Sequence, residues 1–137
     1  MERCLALVLT AGLLAAPRLT AQSAQPVPAG TARAARMQIM NRDLRRLIGE
    51  QEHFFLTHRV YAHSVSQLRF TPAVSGGVSL RAFGTRGWNA TLATDEEAGL
   101  FCGIFVRVGT APNPVVTKDS EPACWRRLRD GQVVSEY

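Results

Sequence analysis

Three histidines, two serines and a run of three carboxylates are the residues of this 137-residue chain whose types could do chemistry. His53, His58 and His63 recur every fifth position, a spacing that invites a metal site. On a helix, residues five apart lie about 140° apart around the axis, so these rings do not converge, and surface histidines are expected. Ser64 and Ser66 stand beside His63 as a nucleophile and base would, but no GxSxG elbow surrounds them and no acid partner can be assigned. Asp95, Glu96 and Glu97 are adjacent in sequence, which suits a solvated turn better than an acid/base pair or a calcium loop. No glycine pattern of the Walker or GxGxxG type occurs. An enzyme is therefore not expected, and no cofactor or metal ligand is assigned.

Basic residues suggest a different chemistry. The formal net charge is +5, and Arg126, Arg127 and Arg129 follow Trp125. Such a cluster could hold phosphates while Trp125 or Trp88 stacks on a base. Against this, Arg129 is followed at once by Asp130, and Lys118 is the sole lysine among 16 basic residues, a bias that GC-rich coding would also produce. Nucleic acid therefore ranks behind a protein partner in the cell envelope. Asn89-Ala90-Thr91 has the form of a glycosylation sequon but reads as strand sequence.

The compartment follows from the first residues and from the cysteines. Met1-Glu2-Arg3 is a short basic leader, and Leu5 to Ala16 is an apolar stretch ended by Pro17. It is shorter than the roughly 20 residues of a spanning helix and fits a signal peptide. Cleavage is expected after Ala21, with Ala24 as a second end, giving a secreted or periplasmic protein with no stable membrane span. Removal of Arg3, Arg18 and Glu2 lowers the net charge by one unit, and removal of Cys4 leaves Cys102 and Cys124. Two cysteines in an oxidising compartment read as one disulfide. Their spacing is neither CxxC nor a zinc pattern, which disfavours a redox pair or metal ligands.

Two kinds of element must carry these residues. The composition, 46% hydrophobic and 20% charged, is sufficient for one folded domain with a core. Gln22 to Gly30 is rich in Pro, Ala and Gln and reads as a mobile leader. From Thr31, an expected N-cap, to His58, one stripe holds Met37, Met40, Leu44, Leu47, Ile48, Phe54 and Phe55, as an amphipathic helix requires. Gln51 falls inside that stripe, so its amide must be hydrogen-bonded, and Gly49 could allow close packing. The period then changes to two. Val78, Leu80 and Ala82, then Trp88, Ala90 and Leu92, form the inward sides of a hairpin around Gly84-Thr85-Arg86-Gly87. A third strand is expected from Leu100 to Val108, and the proline-bearing loop Thr110 to Pro122 carries little regular structure. The fold class is α+β: one long N-terminal amphipathic helix packed on a small antiparallel sheet.

The order of these pieces resembles the globular domain of type IV pilins and pseudopilins. The resemblance rests on Asp43-Leu44-Arg45-Arg46-Leu47 and Gln51-Glu52-His53-Phe54-Phe55 on the helix, then Tyr61 and Leu68-Arg69-Phe70-Thr71-Pro72. It continues through Gly87-Trp88-Asn89-Ala90-Thr91, Leu100-Phe101-Cys102-Gly103-Ile104-Phe105-Val106 and Glu121-Pro122-Ala123-Cys124-Trp125. It implies a pilin-like domain over residues 33–125, preceded by a signal peptide (1–21) and a flexible leader (22–32) and followed by a C-terminal tail (126–137). The family's prepilin peptidase site and hydrophobic N-terminal helix are missing. Gly30-Thr31-Ala32-Arg33 is no such site, and Arg33 and Arg36 stand where apolar residues would be needed. The expected function is an exported, non-enzymatic binding or structural module, a monomer or weak dimer with a partner in the envelope. The alternative is an accessory, minor pilin-like subunit of a type IV pilus or type II secretion system.

Overall fold

The structure, a computed structural model, describes residues 28–108 and 110–136. The expected signal peptide and residues 22–27 of the expected leader lie outside the described residues. Helix α1 runs over Ala29–His58, about 45 Å at 1.5 Å per residue. It begins two residues before Thr31, which is not its N-cap. Pro28 takes that place, its carbonyl accepting the Thr31 and Ala32 N–H groups at 2.9 and 3.1 Å. Residues 29–32 of the expected leader are therefore helical. Gly30 sits in the first turn, where the N–H groups need no partner inside the helix. The helix ends where Arg59 enters the left-handed region at φ 61° and donates its N–H to the Phe55 carbonyl at 2.8 Å.

The face α1 buries is narrower at one end than the apolar stripe. Met40, Leu44, Leu47 and Gln51 are fully buried, while Met37, Ile48 and Phe55 pack at the edge of the core. Phe54 is only half-buried and stacks on His58, ring centroids 3.9 Å apart, because it lies beyond the sheet's reach on the helix flank. Gly49 faces open space, so no close backbone approach occurs there.

Five antiparallel strands form one sheet in chain order: β1 (Val78–Ala82), β2 (Trp88–Ala93), β3 (Leu100–Val106), β4 (Ala123–Arg127) and β5 (Val133–Glu136). The period-two residues of β2 and β3 face α1, with Trp88, Leu92, Cys102 and Ile104 fully buried beneath it, while Val78, Leu80 and Ala82 of β1 pack at the edge of the same core. Strand β3 stops at Val106, short of Val108. Arg107 turns to φ 59° and donates its N–H to Asp119 Oδ2 at 2.8 Å, which removes it from the ladder. Residues 126–136 of the expected tail instead complete the sheet. β4 continues to Arg127, a turn through Asp130 and Gly131 (φ 85°) reverses the chain, and β5 pairs back on β4. An Asp-Gly pair followed by two valines is hairpin chemistry.

The loop before β4 lies against the sheet face turned away from α1. Gly103 makes the room: a Cβ there would stand 2.8 Å from the Trp125 ring and 2.9 Å from Pro112. Trp125 stacks on Phe101 at 5.9 Å and is 3% exposed. Among the described residues no helix is long and apolar enough to cross a membrane.

Candidate functional site

The residues whose types suggested chemistry are dispersed. His53 and His58 border a shallow depression of about 250 Å³ with Glu50 and Arg69, but both rings belong to an exposed helix end. His58 Nδ1 lies 3.0 Å from the Phe54 carbonyl. His63 is elsewhere, its backbone N–H held by Gln67 Oε1 at 2.8 Å. Ser64 caps the short 3₁₀ turn Val65–Gln67 in a reciprocal box with Gln67, and its hydroxyl meets that of Ser66 at 2.8 Å. These serines shape a turn. Among the described residues no group of three or more His, Cys, Asp or Glu side chains could hold a metal ion.

Glu96 and Glu97 do more than solvate the β2–β3 turn. Arg33 Nε reaches Glu97 Oε1 at 2.5 Å, and Arg36 spans Glu96 at 2.6 Å and Glu97 at 3.1 Å. The hydrogen bond that Arg36 donates to Glu96, with both carboxylate charges, raises the Arg36 pKa above its usual value, while desolvation works the other way. Ion pairs this open to solvent contribute little to stability. Their effect is positional, since they tie the first turns of α1 to the sheet.

Neither tryptophan is open to stack on a base. Trp88 is fully buried under α1 and Trp125 is buried beneath the β3–β4 loop. Arg126 Nε is 3.0 Å from Glu136 Oε1, and Arg127 lies over Phe101 at 5.7 Å. A base would have to displace packed side chains to reach either indole.

Cys102 and Cys124 form a disulfide between directly paired residues of β3 and β4. Both are buried, with the Cys102 sulfur 3.8 Å from Met40 Sδ and the Cys124 sulfur 3.3 Å from Asn41 Oδ1. Beside the bridge a depression of about 300 Å³ opens between Met37 and Asn41 of α1 and Pro122 and Glu136 of the sheet. It is the more apolar of the depressions beside α1.

Two buried polar groups organise the rest. Gln51 was expected to need partners, and it holds Ala62 by both backbone groups, donating to its carbonyl at 3.0 Å and accepting its N–H at 2.9 Å. Asp43, 2% exposed, accepts the Ala73 N–H at 2.6 Å and lies 3.6 Å from Arg46, which also donates to the Thr71 carbonyl. Sequence periodicity offers no sign of a buried acid at Asp43, which simply occupies a core-facing position.

At the far end of α1, Tyr61 is buried against Phe55, with ring centroids 4.7 Å apart. Its hydroxyl donates to Glu52 Oε1 at 3.2 Å and accepts from the Arg107 guanidinium at 2.9 Å. Burial, then the Glu52 charge, pushes the Tyr61 pKa above the ordinary phenol value, and Arg107 partly offsets this. Comparison with family models, with curated proteins and with solved structures finds no match to this chain.

Proposed function

We propose that the chain is an exported, non-enzymatic binding or structural module of pilin-like shape whose partner is another protein of the envelope. Support comes chiefly from the architecture, a 30-residue helix laid across a five-stranded meander that carries a buried disulfide. A buried disulfide suits an oxidising compartment. Residues with catalytic chemistry lie apart from one another, whereas the open depression beside the disulfide and the edge strand β5 offer surface for contact. Val133 and Val134 on that edge are 42% and 39% exposed. Cross-linking in envelope fractions, followed by capture of the processed protein, tests this directly. A discrete protein partner, and an intact mass lacking the first 21 to 24 residues, are expected. Recovery only as an unprocessed membrane-bound form would sink the proposal.

The salt-bridged start of α1 favours the accessory-subunit reading over a filament-forming one. Filament growth in pilins depends on apolar N-terminal helices packing together, whereas Arg33 and Arg36 here are committed to the chain's own Glu96 and Glu97. Burying those arginines in a filament core would break the pairs and leave buried charges, at several kcal/mol each. The mature protein is expected to sediment as a monomer or weak dimer and to show no fibres by negative stain at high concentration. Ordered fibres built through the start of α1 would refute that expectation. Capture of pilus or secretion components among the cross-linked partners would select the accessory subunit.

A further inference from the structure

The β1–β2 turn and the end of β3 meet at the end of the sheet opposite the Arg33–Glu97 pair. Gly87, at φ 139°, permits the approach, because a Cβ there would lie 2.1 Å from the Val106 carbonyl oxygen. Arg86 is thereby carried beside Arg107, and the two line one open depression of about 250 Å³ with Phe83, Val108 and Thr110. A third guanidinium, that of Arg81, lies over the Phe83 ring at 5.1 Å.

Arg107 is held in place rather than loosely displayed. Its backbone occupies the left-handed region at φ 59°, a conformation costly for a residue with a side chain, and Asp119 fixes its N–H. Its guanidinium rests on the buried Tyr61 hydroxyl, yet the side chain is 59% exposed. Glu52 approaches the same guanidinium only at 3.9 Å, and Asp119 engages the backbone. Neither carboxylate lines the depression, and among the described residues that do, the charged ones are both arginines. Two like charges facing one open space repel, and an anion between them relieves that repulsion.

From this arrangement we infer that the depression between Arg86 and Arg107 is a binding site for a phosphate monoester. The forked guanidinium donors match phosphate oxygens. Phe83 and Val108 provide an apolar wall for the organic part of the ester. The site does not depend on the identity of any protein partner.

Calorimetric titration of the mature protein with inorganic phosphate and with phenyl phosphate, in a phosphate-free buffer of low ionic strength, tests the assignment. Saturable one-to-one binding of both is expected, with phenyl phosphate tighter because its ring packs on Phe83. Equal affinities would assign the site to the free phosphate ion and overturn the monoester. Arg86→Gln leaves the Tyr61–Arg107 contact intact and should weaken both ligands at least about tenfold. Arg107→Gln should do the same, and Arg45→Gln, on the exposed flank of α1, should change neither. Absence of saturable binding, or an equal loss with Arg45→Gln, would overturn the proposal.

Discussion

Removing the disulfide by the double substitution Cys102→Ala, Cys124→Ala is expected to lower stability by about 2–5 kcal/mol. The bridge joins residues 22 apart in sequence and closes a loop that includes the irregular segment between β3 and β4. A constraint on a loop of that length removes unfolded-state entropy worth roughly 3 kcal/mol. The consequence should also be local. β4 joins β3 through the four residue pairs from Leu100↔Arg126 to Gly103↔Ala123, and β5 is attached only through β4. Amide exchange in the double variant should therefore accelerate first over residues 123–136. The longer β1–β2 and β2–β3 ladders should keep more of their protection. Protein purified from the exported fraction should contain no free thiol without reduction. Unchanged denaturation midpoints would show that the bridge restrains nothing, and uniform acceleration over the whole sheet would show that its effect is global and not confined to β4 and β5.

The parts of the fold legible in the sequence are those where one physical rule acts alone. Strict alternation in Val78–Ala82 and Trp88–Ala93 around a Gly-rich turn specifies a hairpin, and the register is Val78↔Leu92 to Ala82↔Trp88. The one amide inside the apolar stripe marks Gln51 as a buried group that must be hydrogen-bonded. Other features arise from contacts between distant segments. Thr31 is a good capping residue by type, but the Pro28 carbonyl sets the helix start. β5 was hidden by its length: four residues carry little periodicity, and the Arg-rich stretch before them looks like solvated tail. The Asp130-Gly131 pair was the available signal.

The candidate anion site was less legible for the same reason. Arg107 reads from alternation as one more outward residue of β3. Its role depends on Asp119 ending the strand, on Tyr61 supporting the guanidinium and on Gly87 bringing Arg86 near. Trp125 and the arginines at 126, 127 and 129 are conspicuous together in sequence, yet alternation sends Trp125 and Arg126 to opposite faces of the sheet.

Gln51→Leu should produce a comparably large loss, through unpaired polar groups rather than lost volume. Leucine preserves much of the buried bulk but leaves the Ala62 N–H and carbonyl without their partners at a position that is fully buried. Each orphaned group costs about 1–3 kcal/mol, so a loss of roughly 2–5 kcal/mol is expected in denaturant titration. Because the bond fastens the segment after α1 back onto the helix, that segment should also open locally. Tryptic cleavage after the exposed Arg59 should then accelerate. Gln51→Glu separates the two halves of the interaction. An ionised carboxylate can still accept from the Ala62 N–H but has no hydrogen to donate to the Ala62 carbonyl, whereas the protonated acid does. Burial and the facing carbonyl raise the folded-state pKa above the ordinary glutamate value of about 4.3. Between those two pKa values the folded state binds more protons than the unfolded one, so this variant should gain stability as pH falls from neutral towards about 4.3. A Gln51→Leu protein within about 0.5 kcal/mol of the parent, with unaltered cleavage at Arg59, would mean that Ala62 finds other partners and that the amide is incidental to the core.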